Sequence, residues 1–200
     1  MSHYFTNKPE VKSNEKEFQV EILNKKYRFF TDHGVFSKGE LDFASHLLIT
    51  TWHKLNAVGS LLDVGCGYGA LGIVLADLNR QLTVDMVDIN ERATTLAKKN
   101  VSLNKLDNVV VYESNLYEAV EKKFNHIISN PPIRAGKQVV HKILADAHNY
   151  LLPGGTLTVV MGKQHGAESA KKKLFEVFGN VELLERKKGF WILHSVKEDV

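Results

Sequence analysis

From Gly59 onward the chain alternates short apolar segments with helical ones, and no other feature restricts its fold as strongly. Ser60 to Val64 opens the series and passes through a glycine-rich turn into a helix over Ala70 to Leu78. Leu82 to Val87 follows, and Asn90 then serves as N-cap for a helix over Glu91 to Leu103. Val109 to Tyr112 predicts a third strand, Leu116 to Lys122 a short helix, and His126 to Ser129 a fourth strand. After these come a helix over Gln138 to Leu151, a Pro153-Gly154-Gly155 break, a strand over Thr156 to Met161 and a helix over Gly166 to Phe178. Strands joined through helices run parallel, with the helices on both faces of the sheet. The last two strands, Val181 to Leu184 and Phe190 to Val196, have no helix between them and are expected to pair antiparallel at one edge. The architecture is therefore α/β: a mostly parallel seven-stranded sheet with an antiparallel edge strand and helices on both faces.

Ahead of this series, Phe18, Val20 and Ile22 alternate with polar residues up to Asn24-Lys25, and Tyr27 and Phe29 continue beyond, which predicts an N-terminal β-hairpin. Ser37-Lys38-Gly39-Glu40 has the form of a capping box, and Leu41, Ala44, Leu47 and Leu48 recur at helical spacing, so a helix is expected from about Gly39 to about Thr50. A chain of 200 residues can build one sizeable core. With no repeat or linker in view, we expect one domain over 1–200, with 1–36 as extension and hairpin and 37–200 as the core. The single cysteine, Cys66, excludes an internal disulfide and a cysteine-based zinc site, and the nine histidines show no zinc spacing, so no metal is expected. The longest strongly apolar run, Leu71 to Ala76, is too short to cross a bilayer, and Met1 to Lys16 lacks the apolar segment of a signal peptide; a cytoplasmic location away from membranes is the expectation. A net charge of +3 is compatible with an anionic partner and far from that of a histone-like binder.

Asp63-Val64-Gly65-Cys66-Gly67-Tyr68-Gly69-Ala70-Leu71-Gly72 lies between the first strand of the series and its helix, where open α/β sheets take ligands. Two motifs overlap in it. Gly67, Gly69 and Gly72 fit the dinucleotide fingerprint, whereas Asp63 with Gly65, Gly67 and Gly69 fits the nucleotide loop of S-adenosylmethionine (SAM) enzymes. A carboxylate at the mouth of the loop repels a pyrophosphate but favours the ammonium of a methionyl group, directly or through water. A plain tight turn explains one or two glycines better than three alternating ones. Asp88 ends the second strand near the offset at which a carboxylate accepts from ribose hydroxyls, although Asp-Ile-Asn is also an ordinary way into a helix. Asn115, after the third strand, could turn its amide to an adenine edge or simply serve a turn. Cys66 has no sequence partner that would make it a nucleophile and reads as a small residue tolerated in the loop.

Asn130-Pro131-Pro132-Ile133 closes the fourth strand with two successive prolines. Proline has no N–H and fixes φ, and the residue before each proline is held extended, so the main chain offers carbonyl oxygens and few donors. With the amide oxygen of Asn130, the turn suits a group that donates hydrogen bonds, such as a planar amino group on a base or an amide. Arg134 and Lys137 adjoin it and are read as phosphate contacts; His141, one helical turn beyond, is read as a surface residue. Lys171-Lys172-Lys173 and Arg186-Lys187-Lys188 read most simply as solvated, with a secondary part in RNA binding open.

With DVGCGYG, Asp88, Asn115 and SNPPIRAGK in this order on successive strand ends, the chain resembles the class I SAM-dependent methyltransferases, which implies a Rossmann-like fold. NPPIRAGK, together with Gly34-Val35-Phe36-Ser37, narrows the resemblance to the ribosomal RNA guanine-N2 methyltransferases of the small subunit, particularly their short single-domain relatives. It extends from the N-terminal hairpin to the last strand. The resemblance implies a SAM-binding catalytic core in which Asp63, Gly65, Gly67, Asp88 and Asn115, with Cys66, Gly69 and Ile89 beside them, hold SAM while Phe36 and Ser37 close over it. Asn130 and Pro131 would hold the acceptor amine as the catalytic pair, and Pro132, Ile133, Arg134 and Lys137 would meet the substrate. The implied partner is ribosomal RNA or the small ribosomal subunit.

Two departures stand out. Enzymes of this family with a well-defined ribosomal target carry a second, duplicated domain ahead of the catalytic one, for which this chain has no room. Many amino-methylating enzymes also have an aromatic residue after the two prolines, where this chain has Ile133; that disfavours a protein glutamine or an adenine as acceptor and leaves Phe36, Phe190 or Trp191 to supply a stacking face. An NAD-linked oxidoreductase would leave the proline turn unexplained, and a non-catalytic SAM-binding RNA assembly factor would leave the Asn130-Pro131-Pro132 set unexplained.

Overall fold

The computed structural model describes residues 13–33, 35 and 40–198. Strands β1 (Lys16–Ile22) and β2 (Lys25–Thr31) form the expected antiparallel hairpin. Leu23 and Asn24 turn it at φ 49° and 63°, the left-handed pair whose twist matches that of the flanking strands. Its apolar face buries Ile22, Tyr27 and Phe29, and the Phe18 and Phe29 rings stand 5.8 and 5.6 Å from that of Tyr68 in the glycine turn. The hairpin is thus packed on the loop that the sequence marks as a ligand site.

The main sheet has the order β5-β4-β3-β6-β7-β9-β8. Its strands are β3 (Gly59–Val64), β4 (Leu82–Asp88), β5 (Val109–Glu113), β6 (Phe124–Ser129), β7 (Leu151–Gly162), β8 (Glu182–Lys187) and β9 (Phe190–Val196). β3 to β7 are parallel, and the antiparallel pairings are confined to one side, where β9 runs against both β7 and β8. The chain steps outward from β3 to β4 to β5 and then returns to β6 on the other flank of β3. That reversal opens a crevice at the carboxyl ends of β3 and β6, and the glycine and proline turns are the two segments that leave those ends.

Helices α1 (Phe43–His53), α2 (Ala70–Leu78) and α3 (Glu91–Leu103) cover one face with the hairpin, and α4 (Lys137–Tyr150) and α5 (Ala167–Phe178) cover the other. Successive strand residues point to opposite faces, so Leu61 enters the first core and Leu62 the second, both without exposure.

Three segments depart from the sequence expectation. α1 starts at Phe43, with Asp42 as its N-cap accepting from the Ser45 N–H at 3.0 Å; Ser37 to Gly39 lie outside the described residues. Leu116 to Lys122 is a series of turns and not a helix: Leu116 takes φ 54°, and the Ser114 hydroxyl donates to Leu116 O and accepts from the Ala119 N–H. β7 runs through Pro153-Gly154-Gly155 as an irregularity in its pairing with β6, where a Cβ on Gly155 would meet Leu152 O at 2.7 Å.

Candidate active site

β3 and β6 lie side by side in parallel register, Asp63 opposite Ile128, and the Ser129 hydroxyl donates to Val64 O at 2.7 Å across the strand ends. A Cβ on Gly65 would lie 3.9 Å from the Pro132 ring, so the glycine and proline turns are immediate neighbours.

The glycines of the first turn divide by task. Gly65, Gly67 and Gly69 all adopt positive φ, 73°, 57° and 96°. At Gly69 a Cβ would press on Ile73, Met86 and Ala97 within 3.3 Å, and at Gly72 on Met86 Sδ at 2.3 Å; these two let α2 settle against β4. At Gly65 and Gly67 the added atom would only reach ordinary contact with the Pro132 ring at 3.9 Å and with Val35 at 4.0 Å, so these two glycines answer to their positive φ and not to crowding. Gly69, expected among the cofactor contacts, is therefore placed in a helix–sheet contact. The loop is held from below: the N–H groups of Gly65 and Cys66 both donate to Val87 O at 2.9 Å, and that of Gly67 donates to Asp88 Oδ2 at 2.9 Å.

Asp63 is completely buried, not set at an open mouth. Its Oδ2 accepts from the Gly72 N–H at 3.1 Å, while Oδ1 has no partner among the described residues. Burial pushes its carboxyl up to about 7; the Gly72 bond opposes this and the nearby Asp88 charge adds to it. Asp88 is half-buried, and burial raises its value too, against N–H donors from Asn90, Gly67 and Ile89. With Oδ1 receiving the Asn90 N–H at 2.9 Å, it ties the glycine turn to the start of α3, and after three N–H donors the carboxylate keeps capacity for one more. Both readings of Asp88, strand-end acceptor and helix lead-in, are compatible with that geometry. Ile89 is half-buried beside it.

Asn130 and Pro131 stand at the end of β6. The Asn130 Nδ2 donates to Ser45 Oγ at 3.0 Å and to Asp42 Oδ1 at 3.3 Å, both on the first turn of α1. A carboxylate accepts only, so this pairing fixes which end of the amide is which and leaves Oδ1 without a partner among the described residues. The Pro132 carbonyl accepts from the Ala135 N–H at 2.9 Å, whereas the carbonyls of Asn130 and Pro131 receive no backbone donor among the described residues. Asp42 and Ser45 were absent from the sequence reading. The Asp-x-x-Ser spacing was the available signal, but the capping-box form at Ser37 to Glu40 competes with it.

Pro132 and Ile133 are half-buried and lead into a short 3-10 turn (Ile133–Ala135), with Arg134 and Lys137 exposed beside it. Lys137 shares a groove of about 370 Å³ with Ile133, His141, Met161 and His165. The His141 ring bonds Ser169 Oγ at 3.0 Å, and burial with Lys137 and Lys173 lowers its pKa, in keeping with a neutral surface residue. Asn115 is exposed and its amide donates to Glu118 at 2.8 Å, which is the behaviour of a turn residue. The Cys66 thiol is buried, points at Gly67 O and is pushed up by burial and by Asp88 and Asp63, so it is no nucleophile. Of the stacking candidates, Trp191 is buried, Phe190 is half-buried, and Phe36 falls with Ser37 outside the described residues. Among the described residues no cluster of metal-ligating side chains occurs.

The sequence model of the methyltransferase small domain family matches residues 26–194. YbxB of Bacillus subtilis (strain 168), described as uncharacterized, is 43% identical over 197 residues, covering 98% of both chains. The ribosomal RNA small subunit methyltransferase C of Photorhabdus laumondii subsp. laumondii is 41% identical over 131 residues, which span 64% of this chain and 38% of that one. Among solved structures, the T. thermophilus 16S rRNA N2 methyltransferase RsmC, in complex with AdoMet and guanosine, matches with a TM-score of 0.85 at 28% identity, over 95% of this chain and 52% of that one. The chain thus spans only part of the length of both rRNA methyltransferases. On the extent of the family match, the chain belongs to the methyltransferase small domain family.

Proposed function

We propose that this protein methylates the exocyclic N2 amine of a guanine in ribosomal RNA, drawing the methyl group from SAM. The observation that carries the reading is Asn130, whose amide Nδ2 is held by Asp42 and Ser45 so that Oδ1 is left as an acceptor, at the end of the strand beside the one that leads into the glycine turn.

The residues present fit SAM. Gly65 and Gly67 present half-buried main chain without a side chain, Asp88 keeps acceptor capacity at the end of β4, and Asp63 Oδ1, without a partner among the described residues, suits a bridging water to an ammonium group. SAM, when bound, supplies an electrophilic methyl group on a sulfonium centre. The protein's own task is to position the acceptor. Guanine N2 is a poor nucleophile because its lone pair is delocalised into the ring. Asn130 Oδ1 and the Pro131 carbonyl can each take one N–H of the amine, which orients it and favours its pyramidal form as positive charge develops. The Asp42 carboxylate behind the amide polarises Oδ1 further. The surplus proton can leave after transfer, so no dedicated general base is required.

Support for RNA comes from the exposed Arg134 and Lys137 beside the turn and from the names of the relatives. A guanine inside a duplex must be unstacked to reach Asn130, which favours loops or a partly assembled subunit as substrate. We take 37–200 as the catalytic core. A ribosomal substrate agrees with a cytoplasmic protein, and no described helix is long and apolar enough to cross a membrane. The test is transfer of labelled methyl from SAM to free ribosomal RNA, to assembling small subunits and to protein, followed by nucleoside and amino-acid analysis. N2-methylguanosine is expected, lost in Asn130→Ala with SAM binding retained; N6-methyladenosine or methylglutamine would overturn the assignment.

A further inference from the structure

The carboxyl edge of the sheet is divided by charge. On the side of β3, β4 and β5 it carries Asp88 and Glu113, with Asp63 buried beneath. On the other side it carries Arg134 and Lys137 after β6, Lys163 after β7, and Arg186, Lys187 and Lys188 where β8 turns into β9. All six cations are exposed, and none pairs with a carboxylate of the described residues. Glu185, the acid next to Arg186, is turned onto the Arg186 N–H at 2.9 Å.

The β8–β9 turn is fixed at this edge. Phe190 lies opposite both Gly162, the last residue of β7, and Lys187. Lys188 and Gly189 make a tight turn at φ 48° and 79°, and Gly189 O accepts from the Lys163 N–H at 2.7 Å. Lys188 Nζ stands 4.9 Å from the centre of the Phe43 ring, and the Phe43 and Phe190 rings are 5.9 Å apart. Phe43 directly follows Asp42, which holds the Asn130 amide. A cationic, aromatic wall therefore begins one residue from the support of the acceptor. Cations beside half-buried aromatic rings are the means by which proteins grip single-stranded nucleic acid, through phosphate attraction and base stacking together. The other lysine run is placed differently: Lys171 to Lys173 lie along α5, where Lys173 pairs with Glu176 at 3.0 Å.

We infer that a single-stranded RNA segment crosses this half of the edge, its backbone against Arg134 and Lys137 on one side of the target guanine and against Lys187 and Lys188 on the other. The base adjoining the target lies against the Phe43–Phe190 pair. The inference rests on the RNA substrate proposed above. It is tested by binding a fluorescent, unstructured guanine-containing oligoribonucleotide to the full chain over a range of salt concentrations. The double variant Lys187→Gln, Lys188→Gln is expected to bind about tenfold more weakly near physiological salt, with a log–log salt slope shallower by about 1.4 because two phosphate contacts are gone. Lys171→Gln, Lys172→Gln should bind as the wild type does, and both variants should keep wild-type SAM affinity. An unchanged slope in the first variant, or an equal loss in the second, would overturn the RNA path while leaving the RNA substrate standing. Absence of RNA binding by the wild type would overturn both.

Discussion

The proposed SAM site sets the buried carboxyl of Asp63 beside a ligand that carries an ammonium group, and the two properties make a measurable pair. Its folded pKa of about 7 lies above the unfolded carboxylate range, so at intermediate pH the native state holds the extra proton. Ionised Asp63 is the form that attracts an ammonium, so calorimetry should show SAM affinity rising from about pH 6 to about pH 8. Asp63→Asn keeps an acceptor for the Gly72 N–H but loses the charge; it should weaken SAM binding about tenfold at the upper end and flatten the dependence. Equal affinity in the variant would confine Asp63 to holding the loop. Ser45→Ala addresses the acceptor side: it removes the 3.0 Å partner of the Asn130 Nδ2 while leaving the Asp42 cap in place. Methyl transfer should fall about tenfold to a hundredfold in kcat with SAM affinity unchanged, as expected when an aligning hydrogen bond is lost. Loss of SAM affinity instead would mark Ser45 as a packing residue. The sequence named Asn130 because prolines beside an amide leave an acceptor-rich turn. It did not name Ser45, because the direction of that amide is set by a helix 85 residues earlier in the chain.

Among the secondary-structure elements, legibility followed the distance over which each is determined. α2 and α3 match their expected bounds, since the glycine turn and the Asn90 cap adjoin their apolar periods. The segment from Leu116 to Lys122 has local helical character that tertiary contacts override: the Tyr117 hydroxyl donates to Ile143 O and its ring stacks on Tyr150 at 4.7 Å. Asn100, in the middle of α3, is fully buried and escaped notice for the same reason. It accepts from the Phe30 N–H at 2.7 Å and donates to Phe30 O and Tyr68 O at 2.9 and 2.8 Å, which joins the hairpin, α3 and the glycine turn. Asn100→Leu preserves volume but leaves three backbone groups unpaired; urea denaturation should show a loss of about 3 kcal/mol or more. SAM affinity should fall with it, because Tyr68 belongs to the glycine turn proposed to hold the cofactor, and a stability loss with SAM affinity intact would show that the turn holds its shape unaided.

Across the whole molecule, opposed carboxylates govern the response to pH. Burial alone would raise Asp32 and Asp77, but hydrogen bonds outweigh it: Asn14, Ser13 and His33 donate to the first, and Lys25, Tyr27 and Arg80 to the second, so both sit below the usual carboxylate range. Stability from these two is present above the unfolded value of about 3.8 and is lost as pH falls through the lower folded values. Asp63 acts in the opposite sense, its contribution declining as pH rises from about 4 to about 7. Hydrogen exchange followed downward from neutral pH should therefore show the hairpin, which Asp32 and Asp77 anchor, loosening before β3 and β6; simultaneous loss would mean that the hairpin and sheet form one cooperative unit. The parallel order and both strand-end turns were legible because alternation and turn chemistry are local signals, whereas the charge division of the sheet edge depends on β9 returning between β7 and β8. The hold of α1 on Asn130 bears on protein engineering. A graft of residues 130–137 into a foreign methyltransferase scaffold would transplant the amide without its compass, and a module built to transfer the proposed acceptor site must bring Asp42 and Ser45 along.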